Sequence, residues 1–191
     1  VVDKRNLNMN VIIDYKVGNL ASVKRGFERA KINTIVSDDL DIIKQADVLI
    51  LPGVGAFKDA MNDLIIRGLD TVIKEHVEQG KFLVGICLGM QLLYDQSSEF
   101  GITKGLGLIN GDITRIETDF VLPHMGWNNL MINKQDDIIK NIKKDDYVYF
   151  IHTFQAPMNE FVIAYTNYDK DVPAIVRKDN VLGMQFHPEK S

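Results

Sequence analysis

Residues 82–93 read "FLVGICLGMQLL" and carry the only cysteine of the 191-residue chain. An apolar run, "KFLVGI", leads in, and an amphipathic run, "LGMQLLYDQS", leads out. The first has the length and continuity of a strand buried on both faces; the second has helical spacing. Gly85-Ile86-Cys87-Leu88-Gly89 therefore stands at a strand-to-helix junction, with cysteine at the centre of a nucleophile-elbow spacing. The glycines let the chain turn sharply and let neighbouring elements come close. A helix N-terminus favours a thiolate. A lone cysteine is also often a small buried apolar residue, so this motif alone leaves two readings open.

Working outward, the first half alternates apolar runs with helical patterns. "NVIIDY", "INTIVS", "ADVLILP" and "KFLVGI" read as strands. "GNLASVKRGFERA" puts Leu20, Val23, Phe27 and Ala30 on one helical face. "AFKDAMNDLIIRGLDTVIKEHVEQG" reads as helix, in two pieces around Gly68, ending at Gly80. Continuous apolar strands alternating with helices predict a parallel sheet covered on both faces. Beyond about residue 105 the pattern changes. "LGLINGDITRIE", "NNLMIN", "DYVYFIHTF", "EFVIAYTNY", "PAIVRK" and "NVLGMQFHPE" are β-branched and aromatic, separated by turn signals such as "KDN" at 178–180. The expected fold is α/β, a mostly parallel sheet flanked by helices with an added antiparallel portion. Residues 9–191 are expected to form one domain, and the polar "VVDKRNLN" before Met9 to be an extension outside it.

Composition narrows the function. With 46% hydrophobic and 25% charged residues the chain is an ordinary globular one, and its net charge of −4 disfavours phosphate-driven nucleic-acid binding. Apolar runs such as Val48–Leu51 are far too short to span a membrane. One cysteine and no secretory signal point to a reducing cytoplasm. The single cysteine and four histidines show no metal-ligand spacing, so no metal is expected.

Two further segments carry chemistry. In "GMQFHPEKS" (183–191), His187 and Glu189 are two residues apart, which places both on one face of an extended chain. A base oriented by a carboxylate is what a cysteine nucleophile needs; a surface turn at Pro188 is the plainer meaning. "LPGVGAF" (51–57) follows a buried strand at the edge where such sheets bind ligands. The backbone around Gly53, Val54 and Gly55, with the Leu88 N–H, could bind an oxyanion. A glycine-rich turn is the commoner meaning. His152, inside a strand pattern, and His124, after Pro123, are rival bases.

Together, "PGVG", "GICLGMQ" and, one hundred residues after the cysteine, "FHPEKS" resemble the class I, triad-type glutamine amidotransferases over nearly all of the chain after Met9. "DYKVGNLASV", "PHMGWN" and "YFIHTF" are similar to the branch of that family that serves as glutaminase subunits of imidazole glycerol phosphate synthases. The resemblance implies a flavodoxin-like three-layer fold, with no cofactor. It makes Cys87 the nucleophile, His187 the base and Glu189 its orienting carboxylate. Gly55, Gln91, Glu99, Thr153 and Phe154 match positions that hold glutamine, Glu99 as counter-charge to its α-ammonium. It also implies a (β/α)8-barrel synthase partner that receives the ammonia, with Asn19, Met125, Trp127, Tyr147 and Lys190 toward it. His124 falls near that partner, outside the triad.

Lys16 and Val17 depart from the pattern, since a small or apolar residue is more usual there. Family members usually continue past the triad into a closing helix, beyond the position of Ser191. Three alternatives stand beside this reading. One is a related subunit feeding another synthase, such as one making acetamidino sugars. The others are a catalytically silent scaffold and a self-sufficient cysteine hydrolase.

Overall fold

A computed structural model describes residues 8–143 and 146–191. The expected 1–8 extension lies, Asn8 apart, outside the described residues. The first half runs β1 (Asn10–Ile13), α1 (Leu20–Arg29), β2 (Ile35–Ser37), α2 (Leu40–Gln45), β3 (Val48–Leu51), α3 (Phe57–Ile66), α4 (Leu69–Glu78), β4 (Phe82–Ile86) and α5 (Leu88–Leu92). Then come β5 (Tyr94–Ser97), β6 (Thr103–Lys104), β7 (Ile109–Arg115), β8 (His124–Asn129), β9 (Met131–Ile132), β10 (Tyr147–His152), β11 (Phe154–Gln155), β12 (Val162–Tyr168), β13 (Lys170–Lys178) and β14 (Val181–Met184).

The central sheet has the order β2-β1-β3-β4-β14-β13-β12-β9, parallel from β2 to β14 and antiparallel beyond. Its apolar strands sort their residues by period 2. Val11, Ile13, Leu49 and Leu51 join the core formed with α2–α5, while Ile12 and Ile50 pack toward Val23 of α1. Burial on both faces is why these strands read as unbroken apolar runs. The antiparallel part closes its own core around Phe150, Ile163, Ile175 and Phe186.

The expected break at Gly68 is present, with φ +68° between α3 and α4. Two elements differ from expectation. Helix α2 was not expected; it starts on Asp39, whose Oδ1 accepts the N–H groups of Asp41 and Ile42. The helix expected over "LGMQLLYDQS" stops at Leu92, and Tyr94–Ser97 form a strand instead. The Leu92 and Leu93 carbonyls are taken by the N–H groups of Leu106, Leu108 and Ile109, and β5 pairs with β6 and β7. Tertiary pairing overrides a helical pattern that has no glycine or proline from Leu92 to Ser97 to stop it.

Candidate active site

The pairing of β4 with β14 brings the distant motifs together. Ile86 lies opposite Met184, so the two parallel strands end level, and the Cys87 N–H donates to the Met184 carbonyl at 2.7 Å. His187 follows three residues on, with its N–H bound to the Tyr149 carbonyl of β10.

The turn at Cys87 is made differently from the expectation. Gly85 and Gly89 have no positive φ; Cys87 does, at φ +54° and ψ −112°. The strain sits on the cysteine, as at a nucleophile elbow. The glycines serve close approach. A Cβ at Gly89 would lie 1.8 Å from the Leu51 carbonyl oxygen, and one at Gly85 would lie 2.6 Å from the Gly89 oxygen.

His187 Nδ1 and Glu189 Oε1 are 2.9 Å apart, and both side chains are about 95% buried. His187 Nε2 makes no hydrogen bond in this structure and faces the Cys87 thiol. Burial alone would lower the His187 pKa, but the Cys87 and Glu189 interactions outweigh it and raise it to about 9. Burial pushes the Glu189 pKa up, yet the His187 bond and charge bring it below the usual carboxylate value. Gly26 of α1 makes room for this pair: a Cβ there would lie 2.9 Å from Glu189 Cβ. The Arg29 guanidinium donates to the Glu189 backbone carbonyl.

Cys87 and His187 open into a cavity of about 280 Å³. Val54, Gly55, Leu88, Gln91, Glu99, Thr153 and Phe154 also line it, while Gly53 and Glu189 line an adjoining hollow that shares Val54 and His187 with it. Gln91 Nε2 donates to the Phe154 carbonyl at 2.9 Å and to Gln185 Oε1 at 3.0 Å. Glu99 Oε2 accepts the N–H of Phe57, the first residue of α3, at 2.8 Å, so this carboxylate is anchored rather than free in a loop. The Gly53 carbonyl accepts the Leu88 N–H at 3.3 Å. That N–H is thus occupied, and the trans Gly53–Val54 peptide turns the Val54 N–H the opposite way.

The rival bases are engaged elsewhere. His152 Nδ1–H donates to the Phe154 carbonyl at 2.8 Å, and His152 Nε2 lies 3.1 Å from His124 Nδ1. Burial, opposed by the Phe154 bond and helped by His124 and His187, lowers the His152 pKa to about 3.

Sequence reasoning missed three contributors. Gln185 holds Gln91 and places its Nε2 3.9 Å from Cys87 Sγ; a polar residue two before His187 in an apolar strand was the available signal. Tyr15, fully buried, donates its hydroxyl to the Pro52 carbonyl at 2.6 Å. Gly26 had no signal in the sequence, because its role lies in contact with a residue far along the chain. Lys16, the departure in the first turn, sits at φ +66°, a conformation that costs any residue but glycine.

The residues expected toward a partner share one side. Asn19 caps α1 through the Ser22 N–H and lines a hollow with Gly53, Val54, His187 and Lys190. In the β8–β10 ribbon Met125 pairs with Ile151, Trp127 with Tyr149 and Asn129 with Tyr147. Met125, Trp127 and Tyr147 are 55%, 54% and 62% exposed. Lys190 Nζ lies 4.9 Å from the Tyr149 ring centre.

Comparison with known proteins gives a consistent picture. A family model described as glutamine amidotransferase class-I matches residues 11–191. The imidazole glycerol phosphate synthase subunit HisH of Staphylococcus aureus (strain bovine RF122 / ET3-1) is 48% identical over 183 residues, 96% of this chain and 90% of that protein. HisH of Oceanobacillus iheyensis is 46% identical over 185 residues, 96% of this chain and 92% of that protein. Among solved structures, a glutamine amidotransferase crystal structure gives a TM-score of 0.75 at 21% identity, covering 94% of this chain and 90% of that one. PurLQS from Thermotoga maritima gives 0.69 at 20%, covering 95% and 88%. Both structural likenesses concern the fold. Among the described residues no helix is long and apolar enough to cross a membrane.

Proposed function

The chain belongs to the class I glutamine amidotransferases, and from that we propose that it is the glutaminase subunit of an imidazole glycerol phosphate synthase. It hydrolyses glutamine to glutamate and ammonia for histidine biosynthesis. The observation that carries this reading is the buried 2.9 Å His187–Glu189 pair beside a cysteine held at φ +54°. Residues 9–191 act as one glutaminase domain, in the cytoplasm.

The chemistry follows from the geometry. Glu189 accepts from His187 Nδ1–H and keeps Nε2 toward the thiol. Cys87 passes its proton to Nε2, and its sulfur attacks the side-chain amide carbon of glutamine. Collapse of the tetrahedral adduct breaks the C–N bond, and His187 returns the proton to the leaving ammonia. Water, deprotonated by His187, then splits the thioester and releases glutamate. Gln91, Glu99, Thr153, Phe154 and Gly55 hold the substrate, and the half-buried Glu99 carboxylate meets the α-ammonium.

The developing oxyanion needs the Leu88 N–H, which the Gly53 carbonyl now occupies. Rotating the Gly53–Val54 peptide would free it and add the Val54 N–H. One such donor is worth roughly 100- to 1,000-fold in rate. The resting chain therefore holds back hydrolysis until a synthase partner docks. That partner is a (β/α)8 barrel, meeting Asn19, Met125, Trp127, Tyr147 and Lys190, and the shielded passage of ammonia keeps it unprotonated and nucleophilic. Steady-state glutamate release tests this, measured for the chain alone, with the partner, and with partner plus acceptor nucleotide. Successive large accelerations are expected. Equal rates would overturn gating and favour a self-sufficient hydrolase.

A further inference from the structure

The turn that follows β1 reads "DYKV" (14–17), and its tyrosine is fully buried. The Asp14 N–H donates to the Ser37 carbonyl at 2.9 Å, and Asp14 Oδ1 accepts the Lys16 N–H at 2.9 Å, so the backbone on both sides of Tyr15 is held. β1 pairs in parallel with β3, Ile12 opposite Ile50, and the two strands end on the same side of the sheet. Tyr15 reaches from the end of one to the end of the other, where its hydroxyl donates to the Pro52 carbonyl at 2.6 Å. Burial, helped by Cys87 and Asp63, raises the Tyr15 pKa, so the hydroxyl keeps the proton it donates.

This bond falls at a decisive place in the backbone. Leu51 is fixed by its pairing with Gly85. The pyrrolidine ring fixes φ of Pro52. The one soft dihedral left before Gly53 is ψ of Pro52, which sets where the Pro52 carbonyl points; the Tyr15 hydroxyl holds it. Gly53 is packed against the same group: a Cβ there would lie 2.7 Å from the Tyr15 hydroxyl oxygen and 3.0 Å from the Gly89 nitrogen. At the far end of the loop, Glu99 Oε2 holds the Phe57 N–H at 2.8 Å. Between these two anchors Val54 is half-exposed and lines the hollow that holds Asn19 and Lys190. A push on Val54 from that side turns the Gly53–Val54 peptide cleanly only if the Gly53 Cα stays in place. Otherwise the displacement spreads back into Pro52, and the freed N–H groups lose their aim.

We propose that Tyr15 is a positioning residue for the oxyanion site, its hydroxyl fixing the Pro52–Gly53 peptide as the pivot on which the Gly53–Val54 peptide rotates. This rests on the reading that such a rotation frees the Leu88 N–H when the synthase partner docks. Tyr15 is buried and is not among the residues that line the cavity, so it acts on the transition state through the oxyanion donors and not on glutamine affinity.

Tyr15→Phe keeps the ring and removes the hydroxyl. Glutamate release is measured for wild type and variant at saturating partner and acceptor nucleotide, together with the melting temperature of each. kcat is expected to fall about tenfold, the size of one lost net hydrogen bond, with KM within about twofold. A variant that melts lower yet keeps the wild-type kcat would overturn the inference, because the hydroxyl would then serve stability alone. A rise in KM that matches the fall in kcat would overturn it as well. A second measurement needs no variant, and decides the matter if Tyr15→Phe does not fold. Pro52–Gly53 is the only Pro-Gly pair of the chain and Gly53–Val54 the only Gly-Val pair. Carbonyl-13C proline with 15N glycine, and carbonyl-13C glycine with 15N valine, therefore each mark one peptide. When unlabelled partner and acceptor nucleotide are added to the labelled chain, the Gly53 carbonyl resonance should move as it leaves the Leu88 N–H, while that of Pro52 holds. Movement of both would overturn the fixed pivot. A wild-type chain that the partner does not accelerate, or a Gly53 carbonyl that stays put, would instead overturn the gating reading, and this inference with it.

Discussion

At the Cys87 turn there is no room for a single added carbon, whereas on the β8–β10 ribbon a tryptophan, a tyrosine and a methionine point outward half-exposed. Both regions border the same cavity. The turn is positioned by backbone against backbone: Gly89 lies against the Leu51 carbonyl and Gly85 against Gly89. The ribbon has two strands and is positioned by side chains, with His124, Phe150 and His152 inward and Met125, Trp127, Tyr149 and Tyr147 on the other face. The difference separates tasks. A nucleophile needs one fixed place, which close backbone packing supplies. A surface that meets a partner needs large amphipathic side chains at low entropic cost, which an antiparallel pair displays on one face.

The sharpest break of this contrast is Cys87→Ala. Glutamate release should vanish while the partner still uses added ammonium salts; residual glutamine hydrolysis would remove Cys87 from its role. Next, His187→Asn should lower kcat by about 1,000-fold or more, and Glu189→Gln by less, since the first moves protons and the second orients. If His152→Asn lowers kcat as far as His187→Asn in a folded protein, the base has been misassigned.

A smaller effect sets the two regions directly against each other. Trp127→Ala should weaken association with the synthase partner roughly 30-fold, as central aromatic residues of interfaces do, and leave folding stability within about 0.5 kcal/mol. Gly89→Ala should do the reverse, lowering the denaturation midpoint because the new carbon meets a backbone oxygen that cannot yield. Matching effects of the two changes on both measurements would erase the distinction.

The smallest is a pH effect on stability. His187 has a raised folded-state pKa, so its contribution is fully present below its unfolded value near 6.5 and is lost as pH rises through about 9. Glu189 has a lowered one, so its contribution is present above about 4.5 and is lost as pH falls through the folded value. The stability difference between the wild-type chain and Glu189→Gln should therefore peak between about pH 4.5 and 6.5 and shrink on either side. A difference that is flat from pH 4 to 9 in chemical denaturation would show that the buried pair is not linked to folding.

Much of this was legible in the residues. The strands of the parallel half announce themselves as apolar runs because both faces are covered, and the Cys87 turn by its flanking glycines. The helix expected over residues 88–97 was misread after Leu92 because its carbonyls find partners in residues 105–109, which local pattern does not report. Helix α2 was passed over because six residues are too few for a period to show. His124 was read as partner-facing; its neighbours Met125 and Trp127 are exposed, while alternation along β8 turns His124 inward.

The sequence by itself determined the types of chemical group, a lone thiol, an imidazole and a carboxylate, and the short-range spacings that a strand or a turn converts into direction. Only the tertiary structure decided which groups meet. Parallel pairing of β4 with β14 sets Cys87 beside His187 across one hundred residues, and α1 offers Gly26 to Glu189. The orientation of the Gly53–Val54 peptide was likewise undecided until Leu88 came within hydrogen-bond reach. The physical reason is range. Propensity and alternation act over a few residues, whereas hydrogen bonds and packing between distant segments exist only once the chain has closed on itself.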